Sequence, residues 1–210
     1  MENRKEYIKK LWSEKAVLIR KEPFTLKSNR ISYVYINHRN FICIPNNLNI
    51  MASLISSHIK MNIDVNYALC NVTSTISPLL ISHLSSIMNV PFYFYRPVSS
   101  EKGLIEDIFS YEMNPSSTYP KKLPAILIDD VVTTTNTIRT TAQSLQYAGY
   151  NVIGCFCLVD RRIKSEIREF SFPLRSVVTL EEILRIGLDQ NDIEEDKKHL
   201  IEVELDILQQ

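Results

Sequence analysis

Glycine is scarce in this sequence, with four residues among 210, whereas proteins contain about 7% on average. Because glycine adopts positive φ at little cost, a chain with so few glycines has few loops that let a backbone approach a ligand closely. Cysteine is also scarce, and no CxxC pair is present, which excludes the commonest zinc and redox motifs. The spacing of the four cysteines favours buried free thiols: Cys43, Cys70, Cys155 and Cys157.

The chain also lacks net charge and long apolar runs. Lysine plus arginine equals aspartate plus glutamate at 24 each, so no global field draws the protein to nucleic acid or to an anionic membrane. No stretch approaches about 18 uninterrupted apolar residues, and the N-terminus has no secretory signal core. We therefore expect a cytoplasmic protein without nucleic-acid or membrane partners. The apolar content of 45% is enough for one compact domain.

The apolar periodicity predicts an α/β fold. Helical spacing predicts a first helix over residues 4–20 and a second over residues 46–60, with a hairpin between them that turns at Ser28 and Asn29. Short apolar strands then alternate with helices, including one predicted over residues 164–170. This alternation is typical of a parallel sheet covered by helices on both faces.

One internal segment and both ends interrupt this rhythm. Residues 97–122 lack periodicity and are rich in polar residues, so we expect a long loop or a small excursion there. The sequence therefore predicts an N-terminal helix and hairpin over residues 1–45, a core over residues 46–188, and a C-terminal helical tail over residues 189–210.

The stretch ILIDDVVTTTNT combines an apolar strand, two acids and a run of hydroxyls. The strand is predicted over residues 125–128, with Asp129 and Asp130 at its carboxyl end, where ligands of parallel sheets bind. Two carboxylates could hold ribose hydroxyls or their magnesium ion. Residues 133–137 would then lie at a helix N-terminus, which receives phosphate. Alternatively, Asp130 and the threonines only cap that helix.

This stretch resembles the PRPP-binding motif of type I phosphoribosyltransferases, and two other segments resemble the orotate phosphoribosyltransferases of that family. FTLKSNRISYVYIN near the N-terminus is similar to the FTLKSGRxSPYFxN hood of these enzymes. LVDR at residues 158–161 is similar to the LVDR sequence that ends one of their strands. The likeness spans roughly residues 10–187. It implies a type I phosphoribosyltransferase-like parallel sheet flanked by helices, with a small N-terminal hood.

The resemblance also implies site residues. Lys27 matches a hood lysine near the diphosphate and the base, Tyr35 matches an aromatic against the pyrimidine, and Arg161 matches the arginine that hydrogen-bonds the orotate ring. Asp129 and Asp130 match the acids that bind ribose. The phosphate loop would comprise Thr133, Thr134, Thr135, Asn136 and Thr137.

The sequence departs from the family at three loops, one of which is the phosphate loop, where Thr135 stands in place of a glycine. The diphosphate loop of the family reads GPALGG, but residues 70–75 contain no glycine. The mobile catalytic loop of the family reads RKxxKxHG, and here Ser100 and Lys102 stand where its lysine and histidine would be. Arg96 and Lys102 are the candidate cations that remain to act on pyrophosphate.

The resemblance implies a homodimer that transfers ribose 5-phosphate from PRPP to orotate, with weakened activity. Mg²⁺ would arrive with PRPP near the two acids, without direct ligation by the protein. An alternative is a non-catalytic paralogue that binds a nucleotide or PRPP and acts as a regulator or partner subunit. A different acceptor base, bound by the same Tyr35 and Arg161, is a third hypothesis.

Overall fold

The computed structural model describes residues 2–26, 29–96, 107–110, 112, 116–167, 170–189 and 193–210. Its described helices and strands are α1 (Glu2–Ser13), β1 (Val17–Thr25), β2 (Ile31–Ile36), α2 (His38–Phe41), α3 (Asn47–Asn62), β3 (Ala68–Asn71), α4 (Ser77–Met88), β4 (Phe92–Arg96), β5 (Asp107–Ser110), β6 (Ala125–Val132), α5 (Asn136–Tyr147), β7 (Val152–Asp160), β8 (Leu174–Thr179), α6 (Leu180–Leu188) and α7 (Glu195–Gln209).

Six strands form the central sheet in the order β5-β4-β3-β6-β7-β8. All neighbouring pairs are parallel except β4 with β5, which is antiparallel. The hairpin β1-β2 forms a separate two-stranded sheet. The predicted α/β class, a mainly parallel sheet flanked by helices, is confirmed. This order places β6, the strand with the two acids, in the interior of the sheet.

Strand β6 is buried on both faces because its side chains alternate between two cores. Ile126 and Ile128 join a core that contains residues of α1, α3, α4, α6 and α7. Ala125 and Leu127 join a second core with Ile138 of α5. No helix within the described part of the chain is long and apolar enough to cross a membrane.

Three elements differ from the sequence predictions. The first helix ends at Ser13, and Val17 and Ile19 belong to β1, since Lys15 adopts a positive φ of 54° that ends the helical path. In the described part of residues 164–170, the structure has a short 3-10 turn, Lys164–Glu166, instead of the predicted helix, because so short a segment cannot offset helix nucleation. The segment 97–122 contains strand β5, whose four residues are too few to show a period.

Helix α6 touches α1 at a glycine. A Cβ atom added to Gly187 would lie 2.2 Å from Cζ2 of Trp12, whose indole Nε1 donates to the carbonyl of Ile183 at 3.0 Å. Gly187→Ala is therefore expected to lower the free energy of unfolding by about 1 to 3 kcal/mol through overpacking, although alanine favours a helix by about 1 kcal/mol over glycine. Urea denaturation measures the difference.

Gly154→Ala is the control for this change. Its added Cβ would meet Phe156 at 3.5 Å, an ordinary van der Waals contact. If Gly187→Ala left the stability unchanged or raised it, the close contact between α1 and α6 would be contradicted.

Candidate active site

A cleft of about 640 Å³ lies between the hairpin β1-β2 and the carboxyl ends of β3, β6 and β7. A second depression of about 620 Å³ lies beside β4 and β5, but its described lining has no charged side chain. The first cleft therefore has the groups that can do chemistry. The predicted site residues that line it are Tyr35, Asp129, Asp130, Thr133, Thr134, Asn136, Thr137 and Arg161.

Thr135 and Arg96 are predicted site residues that are not among the described residues lining this cleft. Lys27, Ser100 and Lys102 fall outside the described residues. Arg96 ends β4, with its guanidinium carbon 5.8 Å from the ring centroid of Phe109, and it is not among the described residues that line the cleft. The structure thus assembles the predicted ribose, phosphate and base groups at one place, without Arg96.

The two acids lie within β6 and are followed by its last two residues, Val131 and Val132. The strand was predicted to stop at Ile128, but it continues to Val132, which pairs with Asp160 of β7. Asp129 is buried, and its Oδ1 accepts a hydrogen bond from the backbone N–H of Asp130 at 2.9 Å. The sheet therefore fixes the backbone of both acids.

The two carboxyl groups differ in their affinity for protons. Burial raises the pKa of Asp129 well above its usual range, and the charge of Asp130 raises it further. Burial alone would also raise the pKa of Asp130, but its hydrogen bond to His38 and the charge of that imidazole lower the pKa overall. Since like charges so close cannot both ionise readily, Asp130 is the ionised member of the pair.

A chain of buried polar groups that the sequence interpretation missed supports Asp130. His38 begins the short helix α2, and its Nδ1 lies 3.3 Å from Oδ2 of Asp130. The other ring nitrogen, Nε2, lies 2.6 Å from the hydroxyl of Tyr7 on α1. Nothing local in the sequence signals this chain, because its members are 31 and 92 positions apart.

The phosphate loop leads into helix α5. The helix begins at Asn136, and the side chain of its N-cap residue, Thr135, makes no capping hydrogen bond. Instead, Thr135 Oγ1 accepts a hydrogen bond from Nε of Arg139 at 3.1 Å. The helix N-terminus therefore keeps backbone N–H groups for an anion, which favours the phosphate-binding interpretation over simple capping by this threonine.

The loop after β3 presents hydroxyl groups where the family has glycines. Thr73, Ser74 and Thr75 line the cleft. The backbone N–H of Ser74 donates to the carbonyl of Val72 at 2.9 Å, so this donor already has an acceptor within the loop. Diphosphate binding here would depend on side-chain hydroxyls more than on the backbone N–H groups that a glycine loop offers.

Arg161 lines the cleft after the end of β7 and is 2% exposed. Its Nη2 donates to Ser32 Oγ at 2.7 Å and to Oε1 of Glu204 on α7 at 3.3 Å. Burial lowers the pKa of Arg161 to about 10, although the charge of Glu204 opposes this change. Its Nε is buried without a hydrogen-bond partner in the described structure. Glu204 is a site residue that the sequence interpretation missed.

Tyr35 forms an aromatic wall beside this arginine. Its ring lies edge to face with Phe24, with 5.8 Å between the centroids, and both rings line the cleft. A flat ring bound there would have an aromatic face on one side and a planar cation at its edge. The geometry suits a planar, polar heterocycle.

The acids alone do not make a metal site. No group of three or more His, Cys, Asp or Glu side chains in the described ranges is placed to hold a metal ion. Mg²⁺ needs about six oxygen ligands, so Asp129 and Asp130 could only supplement oxygens that a ligand brings with it. The residues fit a magnesium ion that enters bound to a diphosphate.

The chain is similar to known proteins in sequence and in structure. Orotate phosphoribosyltransferase of Caenorhabditis elegans is 26% identical over 190 residues, which cover 85% of this chain and 76% of that protein. Uridine 5'-monophosphate synthase of Bos taurus is 30% identical over 173 residues, covering 81% of this chain and 34% of that protein. The crystal structure of orotate phosphoribosyltransferase from Aeropyrum pernix superposes with a TM-score of 0.69 at 26% identity, over 86% of this chain and 97% of that one.

The family comparison agrees with these relatives. The profile of the phosphoribosyl transferase domain matches residues 42–173, more than half of the chain. This match contains strand β6, both acids and the complete phosphate loop. The chain therefore belongs to the phosphoribosyl transferase domain family and is similar within it to the orotate phosphoribosyltransferases.

Proposed function

We propose that this protein is an orotate phosphoribosyltransferase, which transfers ribose 5-phosphate from PRPP to orotate and releases pyrophosphate. The observation that carries the proposal is the acid pair of β6, held in one cleft with the N-terminus of α5 and with Arg161. A ligand that reached all three groups would need a sugar, a phosphate and a base, as a nucleotide has. The similarity to enzymes with this name supports the same reaction.

Each part of the substrate has a proposed binding group. The 5-phosphate binds the N–H groups and hydroxyls between Thr133 and Thr137. The ribose hydroxyls donate hydrogen bonds to the carboxylate of Asp130, which stays ionised beside His38. Orotate packs against Tyr35 and receives hydrogen bonds from Arg161, whose planar guanidinium suits a planar anion.

The proposed substrate is PRPP with its magnesium ion. When bound, Mg²⁺ neutralises charge on the departing diphosphate. Asp129 and Asp130 lie near this ion without having to supply its whole coordination sphere. The proposed turnover is weak, because Ser100 and Lys102 stand where the family motif has its lysine and its histidine. Each missing charge donor costs about 10² to 10³ in rate.

The test is consumption of orotate by the purified chain with PRPP and Mg²⁺. We expect slow formation of orotidine 5'-monophosphate that requires all three components. Asp130→Asn, which removes the ionised carboxylate at similar volume, is expected to reduce the rate at least tenfold. Uracil, adenine and hypoxanthine are compared as acceptors. Product formation with another base alone, or binding of the nucleotide without any turnover, would contradict the proposed reaction.

The proposed assembly is a homodimer, as the resemblance to this family implies, and the proposed location is the cytoplasm. Gel filtration with light scattering measures the mass in solution. A monomer at concentrations where orotate is consumed would contradict the dimer.

A further inference from the structure

The buried chain from α1 to the acid pair consists of three groups in series. Tyr7 and His38 are 0% and 1% exposed, and the Tyr7 hydroxyl lies 2.6 Å from His38 Nε2. His38 Nδ1 then lies 3.3 Å from Oδ2 of Asp130, whose side chain is 17% exposed and lines the cleft. A polar path thus runs from the core under α1 to a carboxylate that faces the ligand.

The direction of these hydrogen bonds follows from the chemistry of the groups. An ionised carboxylate only accepts hydrogen bonds, so Nδ1 of His38 carries a proton and donates a hydrogen bond to Asp130. The other ring nitrogen, Nε2, pairs with the Tyr7 hydroxyl at 2.6 Å. Tyr7 therefore holds the imidazole from the side opposite Asp130, in the way that a third group orients the base beside a nucleophile.

Packing keeps this imidazole in one orientation. Asn37 caps α2, its side chain accepting a hydrogen bond from the backbone N–H of Asn40 at 3.2 Å. The rings of Tyr7 and Phe41 lie 6.2 and 6.3 Å from the His38 ring, centroid to centroid. Because the ring is enclosed on several sides, it cannot turn away from Asp130 without disturbing the core.

We propose that His38, oriented by Tyr7, is a positioning residue that aims the carboxylate of Asp130 at the ribose hydroxyls of the ligand. The bond to Nδ1 uses Oδ2 of Asp130, and because a carboxylate has about four lone-pair sites, the group can still accept a hydroxyl. His38 acts through Asp130 and is not itself a contact of the base or the diphosphate. This inference rests on the proposed function, because it assigns the ligand of Asp130 as the ribose of a phosphoribosyl compound.

Two substitutions of His38 separate this role from general packing. Asparagine can place its amide nitrogen near the position of Nδ1, so His38→Asn keeps a donor for Asp130 and loses the contact with Tyr7. Glutamine can place its amide nitrogen near Nε2, so His38→Gln keeps a contact with Tyr7 and loses the donor for Asp130. Both variants shorten or reshape the same buried side chain, and thermal unfolding establishes that each is folded.

The measurement is the affinity for orotidine 5'-monophosphate by calorimetry, followed by KM values in the orotate assay. We expect His38→Gln to weaken nucleotide binding and to raise the KM for PRPP about tenfold, the loss of one hydrogen bond to a charged group, with the KM for orotate within twofold of wild type. His38→Asn should stay within threefold on all three measures. Tyr7→Phe should fall between them, and Tyr147→Phe, at a side chain 89% exposed, is its matched control.

The outcomes distinguish the positioning role of His38 from the proposed function of the protein. If the wild-type chain binds nucleotide but His38→Asn and His38→Gln weaken it equally, or neither weakens it, the positioning role is overturned while the proposed function stands. If the KM for orotate rises as much as that for PRPP, the role is structural and the inference is also overturned. If the wild-type chain binds no phosphoribosyl compound, the proposed function fails, and the assigned role of His38 fails with it.

Discussion

Glu204→Ala is expected to lower the free energy of unfolding by about 3 to 5 kcal/mol, because it leaves the buried charge of Arg161 without its partner. Glu204 is fully buried. Besides Arg161, its carboxylate meets Ser32 Oγ at 2.9 Å and accepts a hydrogen bond from the backbone N–H of Tyr33 at 2.9 Å. One substitution therefore removes the acceptor of several buried donors. Urea denaturation followed by circular dichroism measures the loss.

Glu202→Ala is the matched control for this substitution. It removes the same side chain from the same helix, but Glu202 is 65% exposed and its Oε2 lies 4.0 Å from Nδ1 of His199. Exposed pairs contribute at most about 1 kcal/mol, so this variant should remain near wild type. Glu204→Gln keeps an acceptor for Tyr33 and is expected to lose less than Glu204→Ala. Equal stabilities for the variants at positions 202 and 204 would contradict the buried contact.

The second large effect is a gain of activity. Replacing Ser100→Lys and Lys102→His together is expected to raise kcat for orotate by at least about 10², because one charge donor on a leaving group contributes about 10² to 10³ in rate. The two residues restore the lysine and histidine of the family's catalytic loop. Because the chemical step is changed and the groups that hold the nucleotide are not, the KM for orotate should change little.

Ser99→Lys provides the control for the added charge. It places a lysine one position away from that of the family motif, so the net charge of the loop rises without the matched position. We expect no gain from it. A similar rise in kcat for Ser99→Lys and Ser100→Lys would indicate nonspecific attraction of PRPP, and no rise in the double variant would contradict the explanation that the altered loop limits turnover.

The parts of the structure that are built from residues close together in the sequence could be predicted. The parallel sheet is indicated by apolar runs separated by helices, so the central fold could be predicted. The acids of β6 and the hydroxyls before α5 are adjacent in sequence, so their place beside one cleft could be predicted with it. Strand β5 was missed because four residues carry too little pattern. The sequence predicts that the strand ends before the acid pair, because two charges seldom continue a buried strand. In the structure, β6 continues through both acids, since it pairs with β7 as far as Val132.

The supporting residues could not be predicted from local patterns. Tyr7 occurs at helical spacing with other apolar residues and is typical of a core position. Glu204 lies in a tail rich in acids, which usually indicates an exposed helix face. Their roles depend on how α1 and α7 pack against the hairpin and the sheet, and these contacts join residues 31 and 172 positions apart.

The contact between Ser32 and Glu204 has a consequence for how the protein folds. The two residues are separated by 172 positions. During synthesis, the hairpin therefore cannot contact Glu204 until nearly the whole chain has left the ribosome. Strands β6 and β7, by contrast, are close in sequence and can pair early, because short loops close at lower entropic cost. We expect the ribose and phosphate end of the cleft to form first, and the base end to form last, when α7 docks.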